Sequence, residues 1–227
     1  MYSKPLEVCG TRSEVNTTND HPSALSHVRW IGGGSGAAKS TIARRLAKAH
    51  DAVIYDTDAV MSGHASRCSE HLCPRLANFM RMTMDQRWVV RSPNEMLETF
   101  HWFEGEGFNF IVEDLLALPN NRLVIAEGFR LLPLLVAPLL KDKRRAIWLL
   151  PTPAFRRRAF DARETTWDIP QKTSNPKLAL ANLMSRDELF TDRLHDEVSG
   201  LGLHKQKVDG ALSEDALIAV IDDHLFG

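Results

Sequence analysis

The sequence is short of cysteine, of long apolar runs and of net charge, and each shortage removes a class of function. Three cysteines, Cys9, Cys68 and Cys73, are odd in number and too few for a disulfide framework. No apolar stretch reaches the roughly 18 residues that a membrane-spanning helix needs, so no membrane partner is expected. A formal net charge of -1 leaves no strongly basic face, which counts against nucleic acid as a partner. Residues 1–27 lack the charged start, apolar stretch and small-residue cleavage site of a secretory signal. A cytoplasmic protein in a reducing setting, monomer or homodimer, is expected.

What remains is an ordinary globular composition. With 44% hydrophobic and 25% charged residues over 227 positions, the chain can build one large domain, or one carrying an inserted lobe. Residues 1–27 are rich in Ser, Thr, Asn, Asp and Pro, and predict a loose leader that docks back on the domain spanning 28–227. Short runs at Val28–Ile31, Ala52–Tyr55, Arg122–Ala126 and Arg145–Leu150 read as strands, and His204–Val208 as a fifth. Helical periodicity separates them: Lys39–Ala49 after the first, Leu178–Gly200 before the fifth, and a last helix capped by Ser213. Thr152-Pro153 is a helix start signal after the fourth strand. This alternation predicts an α/β fold with a five-stranded parallel sheet covered on both faces. Region 59–118 reads as helices without strands, an insertion, and 131–140 as a short irregular helical passage broken by Pro133 and Pro138.

The run Gly32-Gly33-Gly34-Ser35-Gly36-Ala37-Ala38-Lys39-Ser40-Thr41 nearly matches G-x-x-x-x-G-K-S/T. Holding a polyphosphate takes several backbone N–H groups turned toward one anion, which glycines permit, and a helix N-terminus aimed at the same charge. Residues 33–41 are therefore the candidate nucleotide site. Lys39 is expected to reach the β and γ phosphates, and the Ser40 hydroxyl to ligate Mg²⁺. The sequence departs from the pattern at Ala38, where a glycine is expected. That methyl is cheap if the backbone is near-helical and costly if φ is positive. ATP is the expected nucleotide, with GTP possible.

Ligands of open α/β sheets sit at the carboxyl ends of the strands, and three carboxylates fall there. Asp56 and Asp58 follow the second strand, and Glu127 the third. Phosphoryl transfer needs a group to orient the attacking hydroxyl and oxygen ligands for the metal. Asp58 is assigned to the acceptor hydroxyl, while Asp56 and Glu127 are placed nearer Mg²⁺, partly through water, with Glu127 also facing the substrate. The plain alternative is that Asp56 caps a helix after its strand and Glu127 only terminates one.

The run from Gly33 to Ala47, followed by Ile54-Tyr55-Asp56-Thr57-Asp58, resembles the opening of shikimate and gluconate kinases. It is similar also to chloramphenicol phosphotransferase and the nucleoside monophosphate kinases, and Val124-Ile125-Ala126-Glu127-Gly128 resembles the third-strand Glu-Gly of uridine kinases. The resemblance covers residues 28–58 well, later strands in outline, and fails across 59–118, so shikimate itself is not supported. It implies a three-layer α/β/α P-loop kinase fold, with Asp58 on the acceptor hydroxyls, Asp56 near Mg²⁺, an acceptor-binding lobe at 59–118 and an arginine-bearing lid, here 152–190. On analogy of fold alone, the adenine would lie by Val208-Asp209-Gly210.

Arg156, Arg157, Arg158 and Arg163 supply the lid candidates. Successive positions lie on different helix faces, so they cannot all reach one ligand. Arg158 and Arg163 are the expected catalytic pair, with Arg186 a third candidate. In the insertion, Arg87 and Arg91 could clamp an anionic acceptor, Arg91 being the stronger candidate, while Trp88 and Trp102 could stack on a flat one. His101 and Glu106 are weaker candidates. His64, Cys68, His71 and Cys73 form an H-x3-C-x2-H-x-C group whose spacing fits no usual zinc pattern, and coincidence explains it better. The expected function is ATP- and Mg²⁺-dependent phosphorylation of a small-molecule acceptor, such as a metabolite, nucleoside or nucleotide, or antibiotic. The alternative is a regulatory nucleotide-binding ATPase without such activity.

Overall fold

A computed structural model of the chain describes residues 21–162 and 169–227; residues 1–20 of the expected leader, and Arg163, lie outside the described residues. The chain opens with α1 (His21–Ala24), β1 (Val28–Gly33), α2 (Lys39–Ala49) and β2 (Val53–Asp56). The insertion follows as α3 (Met61–Arg67), α4 (Pro74–Arg81), a π-helical turn at Gln86–Val90, α5 (Pro93–Thr99) and α6 (Phe108–Ala117). Then come β3 (Val124–Glu127), α7 (Pro133–Val136), β4 (Ala146–Pro151) and α8 (Pro153–Asp161). The long α9 (Pro176–Gly200), β5 (His204–Val208) and α10 (Glu214–Phe226) complete it.

The five strands form one parallel sheet in the order β2-β3-β1-β4-β5. Side chains alternate between two cores, as the two-residue period of a strand requires. Along β4, Ala146, Trp148 and Leu150 enter one core with Ile111 and Leu115 of α6 and Phe190, Leu194 and Val198 of α9. Ile147 and Leu149 enter the other, with Ile42 and Leu46 of α2 and Leu217 and Ile221 of α10. The arrangement is a three-layer α/β/α sandwich, compatible with a P-loop kinase fold. The edge strand β5 carries Lys205 and Lys207, which keep it from pairing with another sheet. Leu25 is buried in the first core, so the described end of the leader does dock. Among the described residues, no helix is long and apolar enough to cross a membrane.

Helix starts follow their signals. Thr152 Oγ1 accepts from Phe155 N, Ser213 Oγ from Ala216 N, and Asn175 Oδ1 from Leu178 N, capping α8, α10 and α9. The chain leaves β1 toward β2 on one side and β4 toward β5 on the other. A crevice therefore opens between their carboxyl ends, where ligands of such sheets bind.

Candidate active site

The loop between β1 and α2 fills that crevice. Gly33 has φ 130°, and a Cβ there would run into the carbonyl of Leu149 on β4, so only glycine lets the strand turn this close to its neighbour. Lys39 is nearly buried, and its Nζ donates to Gly34 O at 2.9 Å across the curl of the loop. Arg156 on α8 braces the loop from behind. It is 1% exposed, its Nε donates to Ser35 O at 3.3 Å and its Nη2 to Thr191 Oγ1.

Ala38 resolves the question that its methyl raised. It sits at φ 61°, ψ 17°, in the left-handed region, as the N-cap of α2. An L-residue there costs roughly 1–2 kcal/mol, against roughly 0.5–1 kcal/mol for the extra unfolded-state freedom of glycine. Ala38→Gly should therefore stabilise the protein by up to about 1 kcal/mol, read by urea unfolding. Destabilisation would show that this backbone is not held in the left-handed region.

The parallel register brings the carboxylates together. Asp56 lies opposite Glu127 on the adjoining strand, and Glu127 opposite Ile31 at the root of the loop. Glu127 is 3% exposed and receives a hydrogen bond from Ser40. Burial pushes its carboxyl above the usual glutamate range, the Ser40 bond and Lys39 pull it back, and Asp56 and Asp58 add to the rise. Asp56 Oδ1 accepts the backbone N–H groups of Asp58 (2.8 Å) and Ala59 (3.2 Å), so that oxygen holds the turn after β2 rather than a helix start, since the next helix begins at Met61 with Val60 as its N-cap. This turn presents Asp58, which is exposed, to the cavity. Gly128, at φ 141°, lets β3 pass the buried Thr57, whose Oγ1 a Cβ would strike.

Ser35–Thr41, Arg44 and Asp58 line a cavity of about 530 Å³. The insertion and α9 add Trp88, Phe100, Trp102, Phe103, Leu183 and Arg186 to its lining. No protein-family model matches this chain, and no curated protein is significantly similar to it. What the site does must be argued from its geometry.

Several expected residues lie elsewhere. Arg91 does not line the cavity. Its Nε and Nη2 donate to the carbonyls of Gln86 and Arg87 in the π turn, and its Nη1 to Thr99 Oγ1 at 2.6 Å. Arg87 likewise closes the end of α4, on Phe79 O and Met80 O. Glu106 accepts the N–H groups of Arg75 and Leu76 at the start of α4. His101 is packed among Phe79, Phe100 and Trp102, and burial, with the guanidinium groups of Arg130, Arg87 and Arg186, pushes it down to about 3. The three arginines of α8 do point three ways. Arg156 faces the loop, Arg157 lines a separate surface depression, and Arg158 donates to Asp209 O at 3.1 Å. Arg158 thereby stands beside a smaller cavity of about 250 Å³ between Ala38, Ile42, Phe155, Val208, Gly210 and Leu217.

The cysteine and histidine group separates. Cys68 and Cys73 are bonded to each other, closing the turn between α3 and α4, where the cysteine count predicted reduced thiols. His64 is buried, with Nδ1 3.0 Å from Arg130 Nη1 and Nε2 2.7 Å from Asp114 Oδ2. Since a guanidinium only donates, Nδ1 is the acceptor and Nε2–H donates to Asp114. Among the described residues, no three His, Cys, Asp or Glu side chains converge on a metal position.

Arg130 escaped the sequence reading. It is 2% exposed, donates to Thr57 O and Gly107 O, lies 4.1 Å over the Trp102 ring, and is pushed down to about 10 chiefly by burial. It ties the turn carrying Asp58 to the insertion. Its one signal was its place three residues after Glu127. Arg44 also escaped, although it stands one helical turn beyond Ser40.

Proposed function

We propose that this chain is an ATP- and Mg²⁺-dependent kinase that transfers the γ-phosphoryl group to a hydroxyl of a small molecule. The observation that carries the reading is the shared cavity, lined jointly by the 33–41 loop, Asp58 and the inserted helices. The loop N–H groups, Lys39 and Arg44 would hold the phosphates, and the smaller cavity beside Val208–Gly210 would take the base. A hydroxyl on Ser40, hydrogen-bonded to a desolvated carboxylate on Glu127 with Asp56 beside it, is a hard-oxygen donor set that suits Mg²⁺. Because no three acidic side chains converge among the described residues, phosphate oxygens and water would complete the shell. Bound there, the ion would neutralise phosphate charge. In the transfer, the acceptor oxygen bonds to the γ-phosphorus as the bond to the β–γ bridging oxygen breaks. The acceptor proton passes to Asp58 and ADP leaves.

ADP release measured against pooled nucleosides, sugars, amino alcohols and antibiotics tests this directly. At least one pool should raise release above the basal rate. If none does while Mg·ATP still binds, the regulatory ATPase is the better reading.

Glu127 gives a test on the metal side. Its raised pKa means that the folded state keeps the proton longer than the unfolded state. Stability contributed by this group is thus highest below the ordinary value of 4.5 and falls as pH rises to the raised value. Glu127→Gln should stabilise the ligand-free protein at neutral pH and flatten that slope, yet weaken binding of Mg·ATP. Loss of stability without loss of Mg·ATP affinity would assign Glu127 to structure alone.

A further inference from the structure

The rest of the cavity lining describes the acceptor that the proposed kinase would take, and the acceptor class drawn from it depends on the kinase reading. Trp88, Phe100, Trp102, Phe103 and Phe129 give the cavity aromatic surface, and Met61 and Leu183 add to its apolar lining. Rings hold their shape at low entropic cost and favour flat partners, by offset stacking or edge contact.

The cations are placed just as selectively. Among the described residues, Lys39, Arg44 and Arg186 are the basic side chains that line the cavity, and the first two belong to the phosphate loop and its helix. At the aromatic end only Arg186 remains, and its charge is already matched. Its Nε and Nη2 donate to Asp187 Oδ1 at 3.0 and 2.6 Å, both residues being buried. Its guanidinium also lies 4.9 Å from the ring of Phe100 and 5.1 Å from that of Phe103. A neutral pair fixed in this way does not attract a carboxylate or phosphate as a bare guanidinium does. What it keeps is Nη1, buried and without a hydrogen-bond partner among the described residues. An N–H in that state is costly, and an oxygen brought by a ligand relieves the cost. The two arginines able to clamp an anion, Arg87 and Arg91, are spent on backbone carbonyls.

We infer that the acceptor is an uncharged, flat, ring-bearing alcohol. Its hydroxyl meets Asp58, its ring lies in the aromatic wall, and a second oxygen accepts from Arg186. Sugar acids and phosphorylated sugars are excluded on the same grounds. They bring a negative charge to a region with no unmatched cation among the described residues.

Calorimetric titration of the full chain in saturating Mg·ADP, so that the nucleotide site is filled, tests this. Tyrosol and umbelliferone, which carry a second oxygen, should bind saturably, at least about tenfold more tightly than gluconate or glycerol phosphate, a difference of about 1.4 kcal/mol. Arg186→Lys keeps the charge beside Asp187 and loses the fork, and should weaken the ring alcohols about fivefold or more without changing Mg·ADP affinity. Should that variant not fold, Phe129→Leu, at a half-buried site, should weaken the same ligands and not Mg·ADP. Equal or tighter binding of gluconate or glycerol phosphate overturns the inference, as does no binding of any ring alcohol while Mg·ADP still binds. Ring alcohols that bind but never raise ADP release from Mg·ATP would keep the cavity as a site for such ligands and remove the kinase reading, and with it their role as acceptors.

Discussion

Asp58→Asn should lower acceptor-stimulated ADP release by about 10²–10⁴-fold while Mg·ATP binding stays near that of the parent protein. The size follows from the task given to the carboxylate. An attacking hydroxyl must be oriented and must lose its proton as the new bond forms, and an amide can orient but not accept that proton at neutral pH. The folding cost should be small. Asp58 is exposed, and its turn is held by bonds that the substitution leaves in place, from Asp58 N to Asp56 Oδ1 and from Arg130 to Thr57 O. Steady-state turnover with the best acceptor, set against a thermal melt of the same sample, separates the two effects. Turnover within about threefold of the parent would remove Asp58 from the chemistry. The same loss accompanied by a collapsed melting temperature would make it structural.

The elements legible in the sequence are those specified by local chemistry. The inner strands show as short apolar runs, because a strand buried on both faces needs apolar residues throughout, as in Ala146–Pro151, whereas the edge strand His204–Val208 is polar except for Val208. The starts of α8 and α10 show because Thr152 and Ser213 are caps whose effect is contained within three residues. The loop at 33–41 shows because its glycines stand where the chain must turn close to a neighbouring strand, as Gly33 does against Leu149. Legibility ends where a residue's role depends on partners distant in sequence. Arg91 and Arg130 are both arginines in polar surroundings along the chain, yet one closes a π turn within five residues while the other joins Thr57, His64 and Gly107. Nothing local distinguishes them. Helical spacing did show that Arg156, Arg157 and Arg158 must diverge, but which of them would face the loop depended on how α8 sits against α9 and Thr191. The Ala38 backbone was equally hidden, since one alanine codes for either sign of φ and the loop around it decides.

Lys39→Ala should abolish the protection that Mg·ATP gives against thermal unfolding. Ligand at about 100-fold above its dissociation constant stabilises a protein by about 2.7 kcal/mol. For a chain of this size that corresponds to a rise of roughly 5–10 °C, and the variant should show none at the same concentration. The reason is electrostatic. Lys39 is the nearly buried cation in the curl of the loop, where its attraction for phosphate is less screened than that of the exposed Arg44. Substitution also removes the bond from Nζ to Gly34 O, which should cost the ligand-free protein about 1 kcal/mol. Each protein must therefore be compared with its own ligand-free melt. A variant that keeps the full rise would show that the backbone N–H groups and α2 hold the nucleotide without the lysine, and the assignment of Gly33–Thr41 as a lysine-dependent phosphate loop would fall. A variant that loses the rise while retaining its fold ties the cavity to its nucleotide through one ammonium group, and leaves the aromatic lining as the place where the acceptor must be sought.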